Sequence, residues 1–386
     1  MERMSLPARR NWQQVAAEHG FTFHTPDGER YWDETHAYRF TLRQIEEDLE
    51  NPAEELEQMC FSVVERAVAD ESVLERLAIP QRFWSYVAES WADGERNLYG
   101  RMDFCYDGAG PAKLLEYNAD TPTALYESSI FQWVWLEQAM EQGILPAGVD
   151  QFNSLHERLV DALGHIGIDG VLHLACARDS EEDLGTVEYV EDCARQAGLA
   201  TCRMFVEDIG LAGSGQFTDA DDRPVAWLFK LYPWEWLMAE EFGDRIPGSG
   251  TRFIEPGWKA VLSNKGLMAL LWEMFEGHPN LLPTFFQDDP GAAGLSGHHV
   301  RKPLLSREGA NLRLVEDGRV VAETGGEYGE EGYVVQALAP LPSHAGRRPM
   351  CGVWLVASEA AGMGIREDDG MVTTDDACFV PHFILD

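Results

Sequence analysis

The stretch Tyr99–Glu127, YGRMDFCYDGAGPAKLLEYNADTPTALYE, decides how the chain is read. Tyr99 to Cys105 alternates in the manner of a strand. Gly108 to Pro111 supplies a turn, and Lys113 to Tyr117 is a second extended segment. A hairpin of this form brings Asp103, Glu116 and Asn118 to neighbouring ends. Two carboxylates and an amide oxygen suit a hard cation such as Mg²⁺. Arg101 is two residues from Asp103, so both lie on one face of the strand. An arginine beside a metal points to an anionic ligand or a transition state gaining negative charge. Spacing alone leaves two readings open. Arg101 could simply pair with Asp103 while Glu116 answers Lys113, or the group could hold a metal.

Composition narrows the classes around this hairpin. The chain has 386 residues, 45% of them hydrophobic, with twelve tryptophans, which is enough for a sizeable core. The formal net charge of −36 argues against nucleic acid or an anionic membrane as partner, and it draws cationic small molecules. The same charge also reads as a solvated coat that keeps the protein soluble. Seven cysteines without C-x-x-C pairs imply buried thiols in a reducing compartment and no structural zinc. No apolar run reaches the length of a membrane span, and the N-terminus lacks the apolar segment of a leader. A cytoplasmic protein is expected. Nothing in the sequence sets its oligomeric state.

Working outward, residues 1–98 read as a mainly helical part. Thr41 to Gln44 has the form of a capping box, and Asn51-Pro52 is expected to divide two helices. Leu56, Met59, Cys60, Val63, Val64 and Ala67 keep helical spacing. Beyond the hairpin, Val171–Ala177, Thr201–Val206 and Val225–Leu231 are apolar strands, and Ser180-Glu-Glu-Asp183 starts a helix between the first two. Strand–helix–strand order implies a parallel sheet. Residues 298–386 read mostly as strands and turns. The fold class is therefore α+β with an α/β part, in three approximate lobes of one catalytic unit: 1–98, 99–260 and 261–386.

The second half carries cations. Lys302 ends a strand and is followed by the small-residue loop SREGAN, 306–311, which contains Arg307 and suits a polyphosphate. It is not a Walker loop, and a turn with surface charges fits it equally well. Lys265 opens a helix, where a surface lysine is the plain reading. Arg366 lies in GMGIREDDG, 362–370, which reads as Gly-rich turns. Glu181 and Glu182 sit where acids stabilise a helix start, and they could also face a cation.

Taken together, YGRMDF, KLLEYNADTPTALYE, SNKGLMALLWEMFEGHPNLLP, VRKPLLSREGANL and GMGIREDDG resemble the glutathionylspermidine synthase family, in its ATP-dependent synthetase domain. The resemblance runs from about residue 20 to the end. The ending CGVWLVASEAAGMGIRED…FVPHF is most similar to stand-alone bacterial acid–amine ligase-like members. It implies a permuted ATP-grasp-like fold with a preATP-grasp lobe. It also implies Mg²⁺ on Asp103, Glu116 and Asn118, with Arg101 and Arg366 at the reacting centre. Lys265, Lys302 and Arg307 would hold the phosphates of ATP, with Arg307 as a lid residue, and Gln336 to Leu338 would be the hinge against adenine. Thr121, Thr123, Glu181 and Glu182 would meet the substrates. The implied activity is an ATP- and Mg²⁺-dependent carboxylate–amine ligase working through an acyl phosphate on small-molecule substrates, with a cationic amine. No amidase domain is recognised, so hydrolysis of the product is not expected. Thr121 and Thr123 replace serines of the family, and Lys230-Leu231 replaces Lys-Thr. The lost hydroxyl at Leu231 detaches glutathione and spermidine from the expectation. It also motivates a second reading, a nucleotide-binding regulator without ligation.

Overall fold

The computed structural model describes residues 1–374 and 377–386. Strand β1 (Glu2–Ser5) pairs with β2 (His36–Phe40). Helices fill 42–92, the longest being α1 (Asn51–Ala69). The hairpin follows as β3 (Tyr99–Cys105) and β4 (Lys113–Asn118). Next come β5 (Val171–Cys176), α2 (Glu181–Gln196), β6 (Ala200–Phe205), β7 (Trp227–Leu231), α3 (Trp234–Ala239), β8 (Arg252–Ile254) and α4 (Gly266–Met274). The remaining strands are β9 (Thr284–Phe286), β10 (His299–Pro303), β11 (Arg313–Glu316), β12 (Arg319–Glu323), β13 (Tyr333–Ala337), β14 (Arg348–Val356), β15 (Glu359–Asp368), β16 (Cys378–Phe379) and β17 (His382–Ile384).

Three sheets of four or five strands position the site. One is wholly parallel, in the order β8-β7-β5-β6, and is the sheet expected from the apolar strands of 171–231. A five-stranded antiparallel sheet runs β9-β13-β10-β11-β12. The third, β16-β15-β14-β3-β4, joins the hairpin to strands drawn from 348–379. A boundary after residue 260 therefore does not separate one sheet from another. No helix among the described residues is long and apolar enough to cross a membrane, and the seven cysteines are all free.

Local chemistry explains most elements. Thr41 closes a capping box with Gln44, as its sequence predicts. The six residues that keep helical spacing in α1 are buried, and a fully covered Leu56 or Val63 contributes about 1.5–3 kcal/mol. Asn51-Pro52, however, does not divide two helices. The chain is helical from Leu42 to Ala69, with one π turn over Glu46–Glu50. The wide turn sits where the proline lacks a donor and its ring crowds the preceding carbonyl, so the helix swells and continues.

GMGIREDDG also departs from its reading as turns. Residues 362–368 lie inside the long strand β15. Its glycines are there because neighbours press on the strand. A Cβ at Gly364 would fall 2.4 Å from Ser128 Oγ, and one at Gly362 would lie 3.0 Å from Leu155 Cγ. Gly364 pairs with Gly352 of β14, which in turn pairs with Asp103. The two facing glycines leave a shallow floor across the sheet, and Arg101 lies on it. A Cβ at Gly352 would meet Arg101 Cδ at 2.7 Å and Asp103 Oδ1 at 3.1 Å. We expect Gly352→Ala to cost about 1–3 kcal/mol in urea unfolding through this overpacking. A variant as stable as the parent would show that the floor tolerates a methyl group.

Candidate active site

The β3–β4 register puts Arg101 opposite Asn118 and Asp103 opposite Glu116, so the four side chains share one face. Asp103 is fully buried. Arg101 Nε donates to its Oδ1 at 2.7 Å and Nη2 to its Oδ2 at 3.0 Å, a two-pronged pair. Asn118 Nδ2 donates to Oδ2 at 2.9 Å, and Arg366 Nη2 stands 3.7 Å from the same oxygen. Arg101 Nη1 donates to the carbonyl of Thr123 at 2.6 Å, which ties the turn after β4 to the strand. Burial works against the Arg101 charge, but Asp103 outweighs it and holds the guanidinium's pKa above its usual value. Arg366 lies the other way, lowered by burial and by the charge of Arg101.

Cations from the second half of the chain face this set. Lys302 of β10 is buried and donates to the Leu115 carbonyl at 3.0 Å. Lys265 Nζ is 3.3 Å from Glu116 Oε2 and also donates to the Ser306 carbonyl. Burial would raise the pKa of Glu116, but Lys265, Lys302 and Arg101 hold it well below the carboxylate range. Arg307 Nη1 donates to Thr121 Oγ1 at 2.7 Å and Nε to Glu235 Oε1 at 3.1 Å, bridging the SREGAN loop to the opposite wall.

All of these groups except Asp103, Glu235 and Ser306 line one cleft of about 1130 Å³, solvent at its mouth included. Its apolar wall comes from Val300, Leu312, Leu314, Leu338, Leu341 and Met350, and Gln336 is buried within it. One part of the cleft is thus cationic and another apolar. Gly309 of SREGAN is pressed against Val372, so residues 371–373 close the same side.

The structure brings Arg101, Glu116, Asn118, Thr121, Thr123, Lys265, Lys302, Arg307, Gln336, Leu338 and Arg366 to the cleft. Asp103 lies just behind, in a small hollow with Arg101 and Arg366. Glu181 and Glu182 do not line the cleft; they begin α2, capped by Ser180. Glu182 is still close enough to help raise the pKa of the Tyr31 phenol, behind burial and Glu127. Glu116 answers Lys265, while Lys113 donates to the Pro279 carbonyl. The oxygen donors fit a hard cation. Glu116 is ionised, and Asn118 turns its amide nitrogen to Asp103, leaving its oxygen for a ligand. Asp103 already accepts from Arg101 on both oxygens and from Asn118, which leaves it little spare capacity for such a set.

Sequence reasoning missed Glu127. It is buried, accepts a hydrogen bond from Tyr31 Oη at 2.8 Å, and feels Arg101 and Arg366. Burial raises its pKa. A carboxylate set in the aromatic run LYESSIF was the available signal. Asp120 was also missed. Its Oδ1 accepts from the buried Lys230 Nζ at 2.5 Å, and its Oδ2 from Trp234 N at 2.8 Å, so it caps α3 from another element.

The model of the family described as "Glutathionylspermidine synthase preATP-grasp" matches residues 3–385. The chain belongs to this family. It is 40% identical over 402 residues to a Haemophilus influenzae protein named "putative acid–amine ligase", with 100% of both chains covered. It is 27% identical over 379 residues to the bifunctional glutathionylspermidine synthetase/amidase of Escherichia coli, spanning 92% of this chain and 60% of that one. Among solved structures, a glutathione synthetase-like effector from Globodera pallida superposes with a TM-score of 0.56 at 10% identity, covering 97% and 96% of the two chains. That likeness shows a shared mixed α/β fold. Family membership places the chain among enzymes, in the class of ATP-dependent C–N ligases.

One pH dependence follows from Lys302, whose pKa burial lowers to about 8, with Lys265 adding to the drop and Glu116 opposing it. A protonated lysine can attract phosphate through its charge, and a neutral one cannot. Affinity for ADP should hold below pH 8 and fall by up to about tenfold per unit above it. Lys302→Arg stays charged and should flatten that slope. Titration calorimetry between about pH 7 and 9.5 measures both; an equal slope in the two proteins would assign it elsewhere.

Proposed function

We propose that this member of the glutathionylspermidine synthase family joins a small carboxylic acid to a cationic amine, using ATP and passing through an acyl phosphate. The observation that supports this best is the convergence, in one cleft, of Lys265, Lys302 and Arg307 with the Arg101–Glu116–Asn118 face. The chain acts in this reading as a single catalytic unit in a permuted ATP-grasp-like arrangement. Its metal residues come before 260 and its nucleotide residues after, with Arg366 joining Arg101 from the later part.

The apolar wall by Gln336 and Leu338 takes the adenine, and Lys265 and Lys302 take the phosphates. Arg307 leaves Thr121 and Glu235 to reach the γ-phosphate. Mg²⁺, when bound, would neutralise phosphate charge, and Glu116 and Asn118 with Asp103 are the oxygens that would hold it. Arg101 and Arg366 orient the substrate carboxylate. One of its oxygens attacks the γ-phosphorus and ADP leaves. The amine nitrogen then attacks the acyl carbon, the acyl C–O bond to phosphate breaks, and the nitrogen gives up a proton. Arg101 stabilises the oxyanion of that step. The SREGAN loop and residues 371–373 exclude water, which would otherwise hydrolyse the acyl phosphate.

The cationic amine rests on Glu127, a buried carboxylate beside the two arginines, with Tyr31 and Glu182 nearby. Thr121 and Thr123 line the cleft itself, whereas Glu127 lies behind its wall. Leu231, the departure that motivated a non-ligating regulator, is buried in the core and does not line the cleft.

Purified protein with ATP and Mg²⁺ should release ADP only when an acid and an amine are both present. Hydroxylamine in place of the amine should trap the acid as its hydroxamate. A broad acid panel that yields neither acid-dependent ADP nor hydroxamate would sink the acyl-phosphate reading. Glu127→Gln should raise KM for a diamine about tenfold or more while sparing KM for ATP, the loss expected of one charged hydrogen bond. An unchanged diamine KM would remove Glu127 from the amine site.

A further inference from the structure

Away from the cleft, the parallel sheet carries a second group of side chains that can bind a metal. His173 of β5 lies opposite Cys202 of β6 in the strand register. Asp219, in the turn that leads from residues 217–218 back to β7, covers the same place. One donor atom from each residue lies within 4.8 Å of the other two. Among the described residues this is the one trio of His, Cys, Asp or Glu drawn so close.

Two features separate it from an ordinary core cluster. Asp219 is fixed in advance, since its Oδ1 accepts the N–H groups of Asp221 and Arg223 at 2.9 Å each. His173 is 3% exposed yet poorly satisfied. Its Nε2 is 3.4 Å from Asp219 Oδ2, and its Nδ1 is buried with no partner. An unmet polar group of this kind costs about 1–3 kcal/mol, and the ring's hydrogen bonding is confined to the long contact with Asp219. The site already attracts a cation. Arg223 Nε donates to Asp219 Oδ2 at 2.7 Å, and its Nη2 is 3.8 Å from Cys202 Sγ. That arginine side chain is 61% exposed and can leave into solvent.

We propose that His173, Cys202 and Asp219 form a site for one borderline divalent ion of the zinc type, with Arg223 as the cation it displaces. Nitrogen, thiolate and carboxylate are the donors such ions take, at about 2.0–2.3 Å, and drawing the trio together needs movements of about 1 Å. The thiolate selects against Mg²⁺ and Ca²⁺. Cys202 gives its proton to solvent on binding. Its half-exposed side leaves a fourth position for water. The ion would pin the 217–225 turn to the edge strand of the sheet, independently of the ligase chemistry.

The test titrates Co²⁺ into the chelator-treated full chain in excess Mg²⁺, which fills any all-oxygen site. One equivalent should bind with a cobalt–thiolate charge-transfer band, and added Zn²⁺ should bleach it. Cys202→Ser should abolish the band while the far-UV spectrum is kept. Arg223→Gln should bind Co²⁺ about tenfold more tightly, because the competing guanidinium is gone. A guanidinium that only braces the turn would give unchanged or weaker binding in that variant, and this result would overturn the proposal. So would the absence of a thiolate band, or a band that survives in Cys202→Ser and so belongs to another cysteine.

Discussion

The buried pair of Asp103 and Arg101 is the constraint on which the site depends. A carboxylate with no solvent exposure stands only because a guanidinium grips both oxygens and Asn118 adds a third donor. Removing Asp103 alone would strand two arginines and cost about 3–5 kcal/mol. The pair needs room, and Gly352 makes it. It also needs a fixed strand, and Glu255 supplies that by accepting the N–H groups of Leu98 and Tyr99 at the start of β3. Lys259, itself fully buried, neutralises Glu255 and donates to the Tyr99 carbonyl.

A second clamp holds the far wall. Asp120 follows directly on the β4 turn and fastens Lys230 and the first turn of α3. Pro233 before that turn has no side chain able to cap it, so the cap comes from across the molecule. Lys230 also lies 4.4 Å from the centre of the Trp234 ring. The helix so placed presents Glu235, which receives Arg307. One stretch, 101–127, therefore sets Arg101 through Asp103, the opposite wall through Asp120, and a buried carboxylate beside the arginines through Glu127.

Much of this was legible in the chain. Alternation around a Gly/Pro turn identifies the hairpin, and a hairpin's period of two puts Arg101, Asp103, Glu116 and Asn118 on one face. The parallel strands were readable because strands covered on both faces are apolar throughout. Asn51-Pro52 and GMGIREDDG were misread because local propensity was overruled by context. A π turn absorbed the proline, and close neighbours, not turn geometry, required the glycines. Glu127 and Asp120 escaped notice because a single acid carries no pattern, and its meaning lies in partners far along the chain.

By itself the sequence determined which residue types lie on the hairpin face, that a parallel sheet follows, and to which family the chain belongs. These depend on periodicity and ordered motifs, which are local. Only the tertiary structure decided that Asp103 faces Arg101 rather than the open cleft, that Glu116 answers Lys265, that Arg366 rides a strand, and that Glu181 and Glu182 stand off the cleft. The Arg101–Asp103 pair is local, but the strands that bury it come from far along the chain; the other outcomes are contacts between distant segments, which no local pattern encodes.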